Sequence, residues 1–227
     1  MGAIGDPRVE VVLDRLHAQS ASQDGALASY FEKRAREGTL DWKGLDTDAH
    51  RFMADKLVAL DRDKAELCHS LCRALRAKRV VEVGTSFGVS TLWLASAVRA
   101  NVREDGGAGV VVGTEYEPAK ARAARAHFAE AGLSEWVELR EGDLRSTLVG
   151  VEGPIDFALM DIWTEMALPA LERIAPALRR GAIVVADNTK SFRESYEDYF
   201  NFVNDPKHSF QTLTLPYPGG LELTVRT

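Results

Sequence analysis

The chain has 227 residues, 45% hydrophobic and 27% charged, with a formal net charge of -6. That length suits one α/β domain with a decorated N-terminus, and the composition is that of a folded globular chain rather than a disordered one. The acidic balance argues against a nucleic-acid partner. No apolar run approaches the roughly 18 residues of a membrane span. The opening MGAIGDPRVE lacks the basic and apolar regions of a secretory signal, so a cytoplasmic location is expected.

The first 78 residues read as helices. Pro7 to Gln19 carries Val9, Val12, Leu13 and Leu16 at helical spacing, and Ser22 to Glu37 carries Leu27, Tyr30 and Phe31 before a stop at Gly38. Thr47 to Ala77 reads as two helices broken near Leu60 to Asp63, with Cys68 and Cys72 on one buried face. Arg73, Arg76, Lys78 and Arg79 read as a solvated basic face.

The pattern then changes. Short apolar runs at Arg79–Gly84, Val110–Glu115, Ile155–Asp161 and Ala182–Asp187 suit strands buried on both faces, with a further strand at Trp136–Arg140. Helical segments lie between them at Val89–Ala100, Pro118–Gly132 and Glu165–Arg179. This alternation predicts a doubly wound α/β sheet. The polar stretch Asn101–Gly109 reads as a mobile loop. After a helix over Ser191–Val203, the runs Phe210–Leu215 and Leu221–Val225 flank Pro216–Gly220, which predicts an antiparallel hairpin. Residues 1–58 are taken as a helical extension for substrate or subunit contacts, and 59–227 as the main domain.

The strongest local signal is Glu82-Val83-Gly84-Thr85-Ser86-Phe87-Gly88-Val89-Ser90, a loop between a strand and a helix. Its glycines permit close backbone approach to a ligand. Gly84 and Gly88 do not make the dinucleotide fingerprint, and Glu82 would repel a pyrophosphate while accepting an amine or sulfonium. S-adenosylmethionine is therefore favoured over NAD. Glu115 ends the second strand, where an acid can accept from ribose hydroxyls. Asp143, in Gly142-Asp143-Leu144, follows the third strand and could accept from an adenine amino group; Gly-Asp is also an ordinary turn signal. Asp161 ends the fourth strand and Asp187-Asn188 ends the fifth. Two carboxylates and an amide suit Mg²⁺ or Ca²⁺; helix capping by Asp187 or Asn188 is the less favoured alternative. A metal there would bind a hydroxylated acceptor and lower the pKa of one hydroxyl.

Together, VVEVGTSFGVSTLWLA, VVGTEYEP, EGDL, FALMDIW and IVVADN resemble the catechol O-methyltransferase-like family of class I S-adenosylmethionine-dependent methyltransferases, over roughly Ala59 to Arg226. The resemblance implies a Rossmann-like, seven-stranded, mostly parallel sheet with an antiparallel strand 7, and O-methyl transfer to a small, aromatic or hydroxylated acceptor. It implies that Glu82, Gly84, Ser86, Gly88 and Ser90 hold the methionine part of the cofactor. Glu115 would take the ribose, Tyr116 would lie beside the adenine, and Asp143 and Leu144 would form the adenine-side loop. Asp161, Asp187 and Asn188 would ligate Mg²⁺ and so carry the catalysis, and Trp163 would wall the cofactor side.

Two departures stand out. The family's general-base lysine, three residues after the first metal aspartate, is Thr164 here; Lys190 is a weak substitute. A glutamate of the catechol-specific members is replaced within Leu213-Thr214-Leu215, which argues against catechol itself. No histidine falls in a motif, so none is chosen as base. Competing readings are a metal-independent methyltransferase on the same fold, a non-catalytic cofactor-binding protein and, least favoured, a nicotinamide dehydrogenase. The acceptor pocket is expected from the N-terminal helices and the regions around Trp42, Trp163 and Ser191–Tyr199, and the helical N-terminus could support a homodimer.

Overall fold

A computed structural model describes residues 4–41 and 46–227; Trp42 lies outside the described residues. The N-terminal helices are α1 (Pro7–Ala21), α2 (Asp24–Arg36), α3 (Thr47–Met53) and α4 (Arg62–Ala74). The sheet region then runs β1 (Arg79–Val83), α5 (Val89–Asp105), β2 (Val110–Glu115), α6 (Pro118–Ala131), β3 (Val137–Glu141), α7 (Leu144–Thr147), β4 (Ile155–Met160), α8 (Thr164–Ile174) and β5 (Leu178–Asp187). It closes with α9 (Glu197–Asn204), β6 (Phe210–Leu215) and β7 (Leu221–Arg226).

The seven strands are ordered β3-β2-β1-β4-β5-β7-β6. The first five pair in parallel, and β7 lies antiparallel between β5 and β6. The predicted Rossmann-like sheet and antiparallel seventh strand are thus both present. Helices cover both faces, so the central strands alternate between two cores. Val80, Phe157, Leu159 and Val185 face α1, α4, α5 and α6, whereas Val81, Val83, Ala158 and Val184 face α7, α8 and α9. This two-sided burial explains why these strands are apolar throughout. Cys68 and Cys72 are buried free thiols in the first core, as expected.

The first helix is integral to that core. Val9, Val12, Leu13 and Leu16 are fully or almost fully buried. Asp6 caps its N-terminus by accepting from Arg8 N–H at 3.0 Å and pairs with the buried Arg99 at 2.6 Å. In contrast, α2 buries none of its side chains completely.

Four expectations are corrected. Asn101–Asp105 is the last turn of α5, not a loop, and the helix stops at Gly106 with φ 71°. The buried Asn101 amide donates to the carbonyls of Cys72 and Ala77 at 3.0 and 2.8 Å, while Arg73 and Arg76 pair with Glu104 and Asp105. Those two arginines therefore clasp α4 to α5 rather than forming an idle solvated face. The helix predicted over Glu165–Arg179 ends at Ile174, because Leu178 already pairs with Ile155 in the sheet. The helix predicted from Ser191 begins only at Glu197: the N–H groups of Lys190 and Ser191 are held by the Gly219 carbonyl at 2.8 and 2.9 Å.

Candidate active site

Strand order reverses between β1 and β4, the position at which open parallel sheets bind ligands beyond their carboxyl ends. The glycine loop leaves β1 there. Gly84 has φ 96°, and a Cβ on it would lie 2.0 Å from the Asp161 carbonyl oxygen. Asp161 cannot retreat, because its N–H is bonded to the Val83 carbonyl at 3.1 Å. Glycine is therefore what lets the tips of β1 and β4 close on each other. Gly88, at φ 83°, plays a similar part where α5 starts against the Phe128 ring.

Glu115 ties the loop to β2. It is 8% exposed, and its two oxygens accept from Ser86 N–H and Glu117 N–H, both at 2.7 Å. Each oxygen keeps a lone pair free for a further donor. Ser86 itself sits at φ 49°. Tyr116 follows, 71% exposed, as an aromatic face at the rim.

Glu82 is fully buried behind the loop rather than displayed on it. One of its oxygens accepts from the hydroxyls of Thr85, at 2.9 Å, and Thr91. The other, Oε1, has no protein partner. Burial raises its pKa against the pull of these hydroxyls. Ser90 is buried in the first turn of α5. Asp143 caps α7 and is paired with Arg145, which holds its carboxyl down at about 2. Leu144 points into the second core.

Asp161 and Asp187-Asn188 stand at the tips of neighbouring strands, beside the glycine loop. Burial, and then Asp187, push the Asp161 pKa up to about 8; burial also raises Asp187. The expected metal donors are, however, already engaged. Lys64, from α4 and only 2% exposed, places Nζ 2.8 Å from Asp187 Oδ1 and 2.9 Å from Asp61 Oδ2. Asn188 Nδ2 donates to the other Asp187 oxygen at 3.1 Å. Burial alone would lower Lys64, but the two carboxylates outweigh it and keep the ammonium charged. As arranged, these residues do not fit a divalent ion: a lysine ammonium already faces the Asp187 oxygen that would coordinate it. Among the described residues no cluster of three or more His, Cys, Asp and Glu side chains suits a metal.

Around this centre, Trp163 precedes α8, and His50 from α3 meets its ring edge-on at 5.9 Å. Thr164 opens α8. Lys190 is exposed, and its backbone packs against the Gly219–Gly220 turn. A cavity of about 420 Å³ beside the β5 tip is lined by Asp41, Lys190, Ser191, Phe192 and Arg193, among others.

Sequence reasoning missed Lys64 and His50. A usable signal for Lys64 was present: Lys64, Cys68 and Cys72 repeat every four residues, so a lysine shares the face that the cysteines bury.

Sheet order and the glycine loop at its reversal together define a Rossmann-like, doubly wound architecture with an antiparallel seventh strand. Comparison with known proteins is consistent with this. Residues 81–189 match the methyltransferase domain family. A catechol O-methyltransferase of Mycobacterium tuberculosis is 35% identical over 134 residues, covering 58% of this chain and 57% of that protein. A catechol O-methyltransferase of Niastella koreensis is 30% identical over 139 residues, covering 58% of each. The structure of the O-methyltransferase TomG from Streptomyces achromogenes superposes with TM-score 0.65 at 23% identity, covering 81% of this chain and 91% of that one. The resemblance to catechol O-methyltransferase-like class I methyltransferases, drawn from the motifs, is borne out by these matches. The chain spans somewhat under three fifths of the length of the two curated relatives.

Proposed function

We propose that the chain is an S-adenosylmethionine-dependent O-methyltransferase acting on a small, aromatic or hydroxylated acceptor. The observation that carries this reading is the Glu115 carboxylate, buried at the β2 tip and fixed by two backbone N–H groups with acceptor capacity to spare. That is the donor–acceptor complement of a ribose diol. The orphaned Glu82 Oε1 and the close approach at Gly84 suit the methionine part. TomG, solved in complex with SAM, and an O-methyltransferase from Bacillus cereus, solved with SAH, share the fold.

When bound, the cofactor supplies a methyl group on a sulfonium, open to in-line displacement. This chain's residues hold and align it. Gly84, Ser86 and Gly88 form the loop, with Glu82 behind it at the end of β1 and Ser90 in the first turn of α5; Glu115 takes the ribose, Tyr116 lies flat at the rim, and Asp143 with Leu144 closes the far side. Asp161 and Trp163 flank the cofactor on the β4 side, and alignment of this kind contributes several kcal/mol to such reactions. Asp161, Asp187 and Asn188 face the acceptor. Divalent assistance at these three residues finds no support in their arrangement. The acceptor enters between Trp163, His50 and the Lys190–Arg193 loop, with α2 and α3 forming its outer wall and the N-terminal helices offering a surface on which two copies could pair.

The test is methyl transfer from labelled S-adenosylmethionine to a panel of phenols and hydroxylated aromatics, alongside S-adenosylhomocysteine binding. Binding with turnover supports the reading. Binding without turnover on any acceptor makes this a cofactor-binding protein instead.

A further inference from the structure

We infer that Lys64 is a tethered cation standing where a divalent metal would sit, so that the site works without metal and its acceptor needs only one hydroxyl. This rests on the methyltransferase reading above and adds to it a residue, a charge source and a substrate class.

Three observations carry it. First, Lys64 is walled in: it is 2% exposed and lies on the α4 face that also buries Ala65, Cys68 and Cys72. Its ammonium reaches the surface only at the exposed Asp61 carboxylate. Second, its partners are placed for it. Asp187 comes from the tip of β5 and Asp61 from the residue preceding α4, at 2.8 and 2.9 Å. A buried ammonium needs such pairing to remain charged. Third, the carboxylate it occupies is the one the family motif would give to a metal. A second cation on Asp187 would meet the ammonium across a single oxygen, in a buried setting where like charges repel strongly.

The consequence for substrate follows from coordination number. A metal ion offers several positions and can hold both oxygens of a vicinal diol. An ammonium offers three N–H donors, and this one is already held between two carboxylates. Lys64 is then a positioning residue: it fixes the Asp187 carboxylate and adds one positive charge beneath the acceptor side. Acceptors with a single hydroxyl should serve as well as vicinal diols.

The test is Mn²⁺ binding by the full-length chain after chelator treatment, read from the loss of the free-ion electron paramagnetic resonance signal. Lys64→Met is compared with the unaltered chain, and S-adenosylhomocysteine calorimetry is run in parallel. The expected result is no specific Mn²⁺ uptake by the unaltered chain, and saturable, stoichiometric Mn²⁺ binding gained in Lys64→Met. Stoichiometric Mn²⁺ binding by the unaltered chain, abolished by Asp187→Asn, overturns the inference. So does a folded Lys64→Met that gains nothing. If Lys64→Met does not fold, the titration of the unaltered chain decides alone. Failure to bind S-adenosylhomocysteine sinks the methyltransferase reading instead, whereas binding both it and Mn²⁺ sinks only the role given to Lys64.

Discussion

Gly84→Ala probes the closure of the crevice most sharply. The added methyl would lie 2.0 Å from the Asp161 carbonyl oxygen and 2.9 Å from its carbon, both backbone atoms. Neither side can yield cheaply, since Val83 and Asp161 are hydrogen-bonded to each other across adjacent parallel strands. The residue would also have to hold φ 96°, and a left-handed backbone costs an L-residue about 1–2 kcal/mol. Overpacking adds about 1–3 kcal/mol, for a total of about 2–5 kcal/mol. At about 2 cal/mol/K of unfolding entropy per residue, that corresponds to a fall of about 4–10 °C in Tm for a chain of this size. Differential scanning calorimetry reads it directly. Gly25→Ala in α2 is the control: nothing lies within 4 Å of its added Cβ, and it should be neutral or stabilising by up to about 1 kcal/mol. If Gly84→Ala melts within a degree of the unaltered chain and still binds S-adenosylhomocysteine, the tight β1–β4 approach is wrong.

Three further outcomes are expected. Asp161 has a folded pKa raised to about 8 from 3.8, so the folded state binds more protons than the unfolded state between these values, and stability is lost as pH rises from about 4 through 8. Asp161→Asn should therefore raise Tm at pH 8 and change it little at pH 4; equal shifts at both would contradict this. Asp6→Ala removes a helix cap and strands the buried Arg99, and should cost about 2 kcal/mol or more in urea titration. Tyr196→Phe removes a buried hydroxyl that donates to the Asp187 carbonyl at 3.0 Å, and should cost about 1–2 kcal/mol in the same assay; no loss in either variant would contradict the corresponding contact.

Much of this was legible in the sequence because parallel strands buried on both faces must be apolar throughout, and β1, β2, β4 and β5 are. The carboxylates at their C-terminal tips were equally visible, since each ends an apolar run. What escaped depended on contacts between distant segments. The last turn of α5 looks like a loop by composition, yet Asn101 is locked to Cys72 and Ala77 and two arginines hold its acidic end. The start of α9 was misplaced because the turn at Gly219 captures two N–H groups that a helix would otherwise use. Lys64 is the instructive omission: attention to strand tips found the acids, but the cation that satisfies Asp187 arrives from a helix 123 positions earlier. The pairing of Asp143 with its own neighbour Arg145 was likewise not foreseen from the Gly-Asp-Leu motif.

The most direct measurement is isothermal titration calorimetry of S-adenosylhomocysteine against the unaltered chain and Glu115→Ala. Two hydrogen bonds from ribose hydroxyls to a buried carboxylate, each worth about 1.5–3 kcal/mol, predict saturable binding that weakens at least about 100-fold in the variant. Absence of binding to the unaltered chain, or equal affinity in both proteins, would contradict a nucleoside clasped at the tip of β2.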